Sequence, residues 1–174
     1  IDFTRAFEIM ISELRGKTLY NCKKFNNRSK IVLLIAGYAE DEKRDYLFKL
    51  KSKAFDLRVN AKFISNHVKS ARRFSQGIKS YSLWDAYAHA DLVTFPSIWE
   101  GWGNQFIEAI FAKKPIVMYE YPVYEKDIKS EGYKIIPLGK NGDCEKDHED
   151  LYTLDFKQID KAVTETIKWL TQQS

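Results

Sequence analysis

Apolar residues occur along this chain in short continuous runs, and these runs predict buried β-strands. The run Ile31–Gly37 is apolar up to its terminal glycine, and Leu92–Phe95 is a shorter run of the same kind. Continuous runs of this length are typical of strands in a parallel sheet that is covered on both faces. The predicted strands are Ile31–Gly37, Ala61–Ser65, Leu92–Phe95, Pro115–Tyr119 and Tyr133–Leu138.

Most of the segments between these runs have apolar residues at helical spacing, which predicts amphipathic helices. The predicted helices are Ile1–Leu14, the charged segment Glu40–Lys53, Leu83–Ala90, one from about Asn104, a short one ending at about Lys129 and one from about Phe156. Ser82 and Asp85 have the spacing of a capping box at the start of the third helix. Strands that alternate with helices predict an α/β fold, a doubly wound parallel sheet with helices on both faces.

Three polar segments have no clear period and are interpreted as loops: Asn21–Lys30, Asn66–Ser80 and Gly139–Asp150. The second of these loops is basic, with Lys69, Arg72, Arg73 and Lys79. One interpretation is a solvated, mobile surface segment. The alternative is that it follows a strand end near the ligand side and contacts an anionic substrate.

Composition narrows the class of protein. The 174 residues fit one domain, and a hydrophobic share of 44% is enough for a packed core. A net charge of +4, spread along the chain, does not predict a nucleic-acid partner. Cys22 and Cys144 stand far apart in no paired motif, which favours a reduced, cytoplasmic protein. The sequence has no apolar run long enough to span a bilayer, and a peripheral contact with a membrane surface is left open.

The stretch after Leu92–Phe95 combines a strand end, a glycine-bearing loop and a helix start. Such a loop collects backbone N–H groups and the positive end of a helix, which suits an anion such as a phosphate. Glu100 and Glu108 bracket this place, and carboxylates accept hydrogen bonds from vicinal hydroxyls well. The spacing of the two glutamates taken alone does not distinguish a ligand site from two surface positions, one in a solvent-exposed loop and one on a helix.

The wider stretch resembles the nucleotide-sugar signature of the retaining, group 1 (family 4) glycosyltransferases of the GT-B fold. That pattern is roughly P-S-x-x-E-G-F/W-G-x-x-x-x-E-A followed by P-V-V, and here Pro96–Gly103, Glu108-Ala109 and Pro115–Val117 match it in order. Tyr87–Asp91 also matches a helix that ends in Y-x-x-A-D, and Trp84 and Tyr87 are interpreted as core residues.

The resemblance implies a site for a nucleotide-diphosphate sugar. Glu100 is expected beside the donor hexose as the catalytic residue, and Glu108 is expected to bind the ribose hydroxyls. The further donor-binding residues that it implies are Gly101, Trp102, Gly103, Asn104 and, on a looser match, Ile64 near the base. The expected reaction is transfer of a hexosyl group with retention of configuration, with no bound metal and no cofactor, because the sugar nucleotide is a substrate.

The same resemblance predicts the domain organisation. Residues 1–174 are expected to form the donor-binding domain, whose partner is an N-terminal acceptor domain of the same protein. In the resembled family a strand with basic residues precedes the first helix, so we expect such a strand ahead of Ile1. Without it and the acceptor domain, the isolated chain is expected not to transfer sugar at a useful rate. Lys114 and the segment Glu120–Tyr124 depart from the family pattern, and the second departure leaves that side of the site unassigned.

Three other interpretations stay open. A sugar-nucleotide epimerase shares the fold class, although the complete signature is not expected in one. A non-catalytic nucleotide-binding module would be expected to lose the two glutamates, which are present here as Glu100 and Glu108. A flavodoxin-like or receiver domain would need clustered aspartates at the strand ends, and the sequence shows no such cluster.

Overall fold

The computed structural model describes residues 1–36 and 44–172 of the chain. Its helices are α1 (Asp2–Ile9), α2 (Arg44–Asp56), α3 (Leu83–His89), α4 (Asn104–Phe111) and α5 (Phe156–Thr171). Its strands are β1 (Leu33–Ile35), β2 (Ala61–Phe63), β3 (Val68–Lys69), β4 (Arg73–Ser75), β5 (Ile78–Ser82), β6 (Val93–Phe95), β7 (Ile116–Glu120), β8 (Ile136–Lys140), β9 (Cys144–Lys146) and β10 (Tyr152–Leu154). The predicted strand end at Gly37 and the predicted helix start at Glu40 lie outside the described residues.

Strands β6, β7 and β8 form a parallel sheet in that order. Val93 pairs with Ile116 and Val117 pairs with Ile136, so the strands run side by side in the same direction. All of β7 is buried, as expected for the central strand of a sheet with both faces covered. The prediction of an α/β fold built on a parallel sheet is confirmed.

Helices cover the two faces of this sheet, because successive side chains of a strand point to opposite faces. On one face Val117 packs in a cluster with residues of α1 and α5. On the other face Ile116 and Met118 pack with residues of α3, α4 and the π-helical turn Tyr124–Ile128. The apolar positions predicted for the last helix, Ile159, Val163, Ile167 and Leu170, are all buried.

Strands β1 and β2 pair in parallel with each other in a separate two-stranded sheet. The predicted coverage on both faces is wrong for β1 and the residue before it, because Leu34 and Val32 are half-exposed. A cavity of about 850 Å³ separates β1 from β6 and is lined by Leu33, Val93 and Phe7 among others. The strand expected ahead of Ile1 stays a prediction.

Two segments interpreted as loops contain strands. Within 66–80, β4 and β5 form an antiparallel hairpin, and β5 also pairs in parallel with β3. The hairpin turns at Gln76 and Gly77, whose φ angles are 51° and 78°. Positive φ at both central residues is the requirement of a two-residue hairpin turn, so Gln-Gly was the sequence signal for this hairpin. Within 139–150, β8 continues to Lys140 and β9 pairs with β10.

The start of α3 is fixed by charge and hydrogen bonds. The Asp85 carboxylate accepts from the Ser82 backbone N–H at 2.8 Å, which confirms that half of the predicted capping box. It also forms an ion pair with Arg72, which reaches it from the segment just before β4. The core position predicted for Trp84 is wrong, because its side chain is half-exposed, whereas Tyr87 is buried as predicted.

Acid should weaken this helix start. The Arg72 guanidinium, and then the Ser82 N–H, hold the pKa of Asp85 well below the ordinary aspartate value of 3.8. A carboxyl whose pKa is lowered in the folded state adds stability above its unfolded pKa and loses it as the pH falls. We expect Asp85→Asn to lower the melting temperature at neutral pH, and the difference from wild type to shrink as the pH falls below 3.8. Asp127→Asn, at an exposed aspartate, is the control. A pH-independent difference would contradict the ion-pair explanation.

Candidate functional site

The loop between β6 and α4 follows the carboxyl end of a parallel strand, the edge at which open α/β sheets bind ligands. Gly103 caps α4 with φ 68°, a left-handed conformation that side chains disfavour. It is also buried against two rings. A Cβ at this position would lie 2.5 Å from Tyr121 Oη and 3.0 Å from Phe95 Cε1. Only glycine fits here, and the chain turns sharply into the helix at this point.

Tyr121 holds the loop through a hydrogen bond and a ring contact. Its hydroxyl donates to the Trp102 carbonyl at 3.1 Å, and its ring packs edge-on against Phe95 with 5.9 Å between ring centres. Burial and, secondarily, the charge of Glu100 raise the pKa of Tyr121, so the hydroxyl stays protonated and can donate. Tyr121 belongs to the segment Glu120–Tyr124, which departs from the family pattern. The structure places Tyr121 in the core beneath the signature loop.

Gly103→Ala should destabilise the protein and displace the loop. The left-handed conformation costs a non-glycine residue about 1–2 kcal/mol, and the 2.5 Å approach to Tyr121 Oη adds a clash. Chemical denaturation should show a lower free energy of unfolding. Gly101→Ala is the matched control, because a Cβ there meets nothing within 4 Å. In a Tyr121→Phe background, the clash should be partly relieved while the conformational cost remains. Equal losses for Gly101→Ala and Gly103→Ala would contradict this account.

Glu100 lies in the same loop and is half-buried. Its carboxylate is close enough to Tyr121 to contribute to the raised pKa of that phenol. The indoles on either side of it are exposed, Trp99 by 78% and Trp102 by 68%. The loop therefore presents a carboxylate between two exposed aromatic side chains, a surface that can take both hydroxyl and apolar groups of a ligand.

Glu108 lies just over one turn into α4 and is half-buried. One of its oxygens, Oε2, accepts a hydrogen bond of 2.8 Å from the Tyr87 hydroxyl of α3. Its neighbours Phe106 and Ala109 are buried, which fixes the orientation of α4 on the sheet. The carboxylate is thus held in a defined position on the face of the sheet that α3 and α4 cover.

The first turn of α4 is available for an anion. Backbone N–H groups at a helix start have no intrahelical acceptor, and the helix dipole makes that end positive. Asn104 and Gln105, the first residues of α4, are exposed, and the first turn carries no acidic side chain. A diphosphate would therefore meet N–H donors and a favourable field there.

Ile64 lies apart from this loop in the fold. It follows β2, and its backbone N–H donates to the Ile35 carbonyl at 2.9 Å, so it belongs to the β1–β2 sheet. Both β2 and β6 end at carboxyl edges of parallel pairs, but no hydrogen bond or ring contact recorded for the described residues joins Ile64 to the loop 96–103. Its assignment to a base pocket stays a prediction.

Two further features of the described residues concern ligands and membranes. No group of three or more histidine, cysteine, aspartate or glutamate side chains that could hold a metal ion occurs among residues 1–36 and 44–172. Within the same residues, none of the helices has the length and apolar character needed to cross a bilayer.

Both a family model and curated proteins match this chain. The family model described as glycosyl transferases group 1 matches residues 18–137, which contain the loop and both glutamates. A mannosylglucosylglycerate synthase of Petrotoga mobilis is 40% identical over 155 residues, 89% of this chain and 34% of that protein. A mannosylglucosylglycerate synthase of Thermotoga maritima is 37% identical over 100% of this chain and 37% of that protein. The chain thus spans about a third of the length of these curated relatives. No solved structure gives a significant match.

Proposed function

The chain belongs to the group 1 glycosyltransferases, and from this we propose that it is the donor-binding part of an enzyme that transfers a hexosyl group. The donor is a nucleotide-diphosphate sugar, and the transfer retains the configuration at the anomeric carbon. The acceptor is bound by another part of the same protein. The sheet β6–β8 and its helices form the platform on which the donor lies.

One observation carries the proposal. The chain turns at Gly103 from the carboxyl end of a buried parallel strand directly into α4, with Glu100 before the turn and Glu108 after it. This arrangement supplies N–H donors for a diphosphate and two carboxylates for hydroxyl groups on either side of it. A sugar nucleotide has this order of groups, with the diphosphate between two polyhydroxylated rings.

The roles of the residues follow from their positions. The start of α4, at Asn104, stabilises the charge that develops on the departing diphosphate. Glu100 accepts hydrogen bonds from hexose hydroxyls and stabilises positive charge at the reacting carbon, which is why it is the proposed catalytic residue. Glu108 binds the ribose, and Ile64 lines the base. Gly101, Trp102 and Gly103 bring the backbone close to the hexose and diphosphate.

The names of the relatives indicate which hexose the donor carries. Both are named for a product that contains a mannosyl, a glucosyl and a glycerate unit. We therefore propose a mannosyl donor for this chain and a glucosylglycerate-like acceptor for the rest of the protein. The absence of a bound metal or cofactor, and a cytoplasmic location, stay parts of the proposal.

An epimerase or a non-catalytic module would use the same fold differently. An epimerase would change the sugar nucleotide without an acceptor, and a non-catalytic module would bind it and change nothing. The relatives are named as synthases, which favours transfer to an acceptor over both.

A thermal-shift screen of the full-length protein tests the proposal. A ligand that binds the folded state raises the melting temperature by mass action. The shift in melting temperature should differ among UDP-, GDP- and ADP-linked mannose and glucose, both with the base and with the hexose. A mannose nucleotide should give the largest shift. Turnover with and without a chelator, and with and without glucosylglycerate, then tests metal independence and transfer. Stabilisation by none of these sugar nucleotides would overturn the proposal.

A further inference from the structure

The hydrogen bond between Tyr87 and Glu108 is a long-range contact between two helices. The Tyr87 hydroxyl lies 2.8 Å from Glu108 Oε2, and the two residues are 21 positions apart in the chain. The Tyr87 side chain is only 7% exposed, and its ring packs in the cluster that includes Phe106 and Met118. Core packing explains the ring, and the hydroxyl, which needs an acceptor when it is buried, has that acceptor in a half-buried carboxylate of another helix.

The phenol is a permanent donor in this contact. Burial, and then the hydrogen bond and charge of Glu108, raise the pKa of Tyr87 above its ordinary value. The hydroxyl therefore stays protonated throughout the physiological range and donates a hydrogen bond to the carboxylate. An ionised carboxylate has about four lone-pair sites on its two oxygens. One donated bond to Oε2 leaves Oε1 and the remaining sites for other donors.

Both ends of the contact are anchored. Asp85, two residues before Tyr87, accepts from the backbone of Ser82 and pairs with Arg72, which fixes the start of α3. The α4 end is fixed by the burial of Phe106 and Ala109. A free glutamate side chain loses rotamer entropy when it is ordered. A carboxylate that is already ordered by Tyr87 avoids part of that loss when a ligand binds.

We propose that Tyr87 is a positioning residue, which holds Glu108 so that its remaining oxygen sites face the vicinal hydroxyls of a nucleotide ribose. The proposal rests on the proposed function, because it assumes that Glu108 binds the ribose of the donor. It adds a residue outside the signature loop, on a different helix, to the machinery for donor recognition. Tyr87 itself touches neither the ribose nor the reacting atoms.

Tyr87→Phe in the full-length protein tests this role, because it removes one oxygen and keeps the ring. The probe is whichever of UDP, GDP or ADP binds the wild type most tightly, together with its 2′,3′-dideoxy analogue. The variant should bind the ribonucleotide about five- to tenfold more weakly. Its affinity for the dideoxy analogue, which offers Glu108 no hydroxyl groups, should be that of the wild type.

The matched control is Tyr119→Phe. Tyr119 is also buried, and its hydroxyl donates to the Lys140 carbonyl rather than to Glu108. This variant should bind both nucleotides as the wild type does. In a Glu108→Gln background, Tyr87→Phe should cause no further loss that is selective for the ribonucleotide, because the carboxylate it positions is gone. Melting temperatures without ligand report any general loss of stability separately.

The outcomes separate the two proposals. If the wild type binds none of the three nucleoside diphosphates, the proposed function fails. If the wild type binds and Tyr87→Phe is unchanged, the positioning role fails and the proposed function stands. If Tyr87→Phe weakens the ribonucleotide and the dideoxy analogue equally, Tyr87 has a structural role, and the positioning role again fails.

Discussion

Glu108→Ala should weaken the binding of nucleoside diphosphate and of sugar nucleotide by the same factor, roughly ten- to a hundredfold. The reason is that Glu108 is proposed to bind the ribose, which both ligands contain. A hydrogen bond to a charged group contributes about 1.5–3 kcal/mol, and each 1.4 kcal/mol is about a factor of ten in affinity. Isothermal titration of the full-length protein with each ligand measures the two factors directly.

The same substitution should also lower stability. It leaves the buried Tyr87 hydroxyl without the acceptor that it has at 2.8 Å. An unsatisfied buried donor costs about 1–3 kcal/mol. Glu13→Ala, at an exposed glutamate of the turn Ile11–Leu14, is the control and should change neither affinity nor the melting temperature. Unchanged binding of every sugar nucleotide by Glu108→Ala would remove Glu108 from the site.

Glu100→Ala should lower kcat by about a hundredfold or more while bare nucleoside diphosphate binds nearly as in the wild type. Glu100 is proposed to face the hexose, which the bare nucleotide lacks. Groups that stabilise charge developing in the transition state typically contribute about a hundred- to a thousandfold in kcat. The measurement is steady-state turnover of the full-length enzyme, combined with titration of nucleoside diphosphate.

Glu100→Gln separates charge from shape at this position. If the negative charge of Glu100 carries the effect, the glutamine variant should be as slow as the alanine variant. If hydrogen bonds to hexose hydroxyls carry it, glutamine should recover much of the rate. Loss of bare nucleotide binding in Glu100→Ala, together with normal binding in Glu108→Ala, would reverse the two assignments.

The fold class could be predicted from local pattern. Continuous apolar runs gave the parallel strands β6 and β7, and the helical spacing of Ile159, Val163 and Ile167 predicted the buried face of α5. Ser82 and Asp85 predicted the start of α3. These signals are local, since each depends on residues only a few positions apart. The segment 66–80 has no clear period and was interpreted as a loop, and there the local pattern missed a hairpin that turns at Gln76 and Gly77.

The candidate site was predicted as a set of residues and not as an arrangement. Glu100, Gly103 and Glu108 are part of the family signature, and it was the resemblance to the whole signature that implied a sugar-nucleotide site. Strand β1 shows the limit of the same reasoning. Its apolar run predicted burial on both faces, yet Leu34 is half-exposed, because burial depends on which elements lie beside the strand.

The sequence by itself determined the periods of the elements, the signature and the expected position of the two glutamates along the loop and helix. Only the tertiary structure decided which side chains support them. Tyr121 reaches the Trp102 carbonyl from 19 residues away, and Tyr87 reaches Glu108 from 21. Helical and strand periods predict which face a residue occupies, but they do not predict which distant residue it meets. Those long-range contacts form only when α3, α4 and the end of β7 pack on the same face of the sheet.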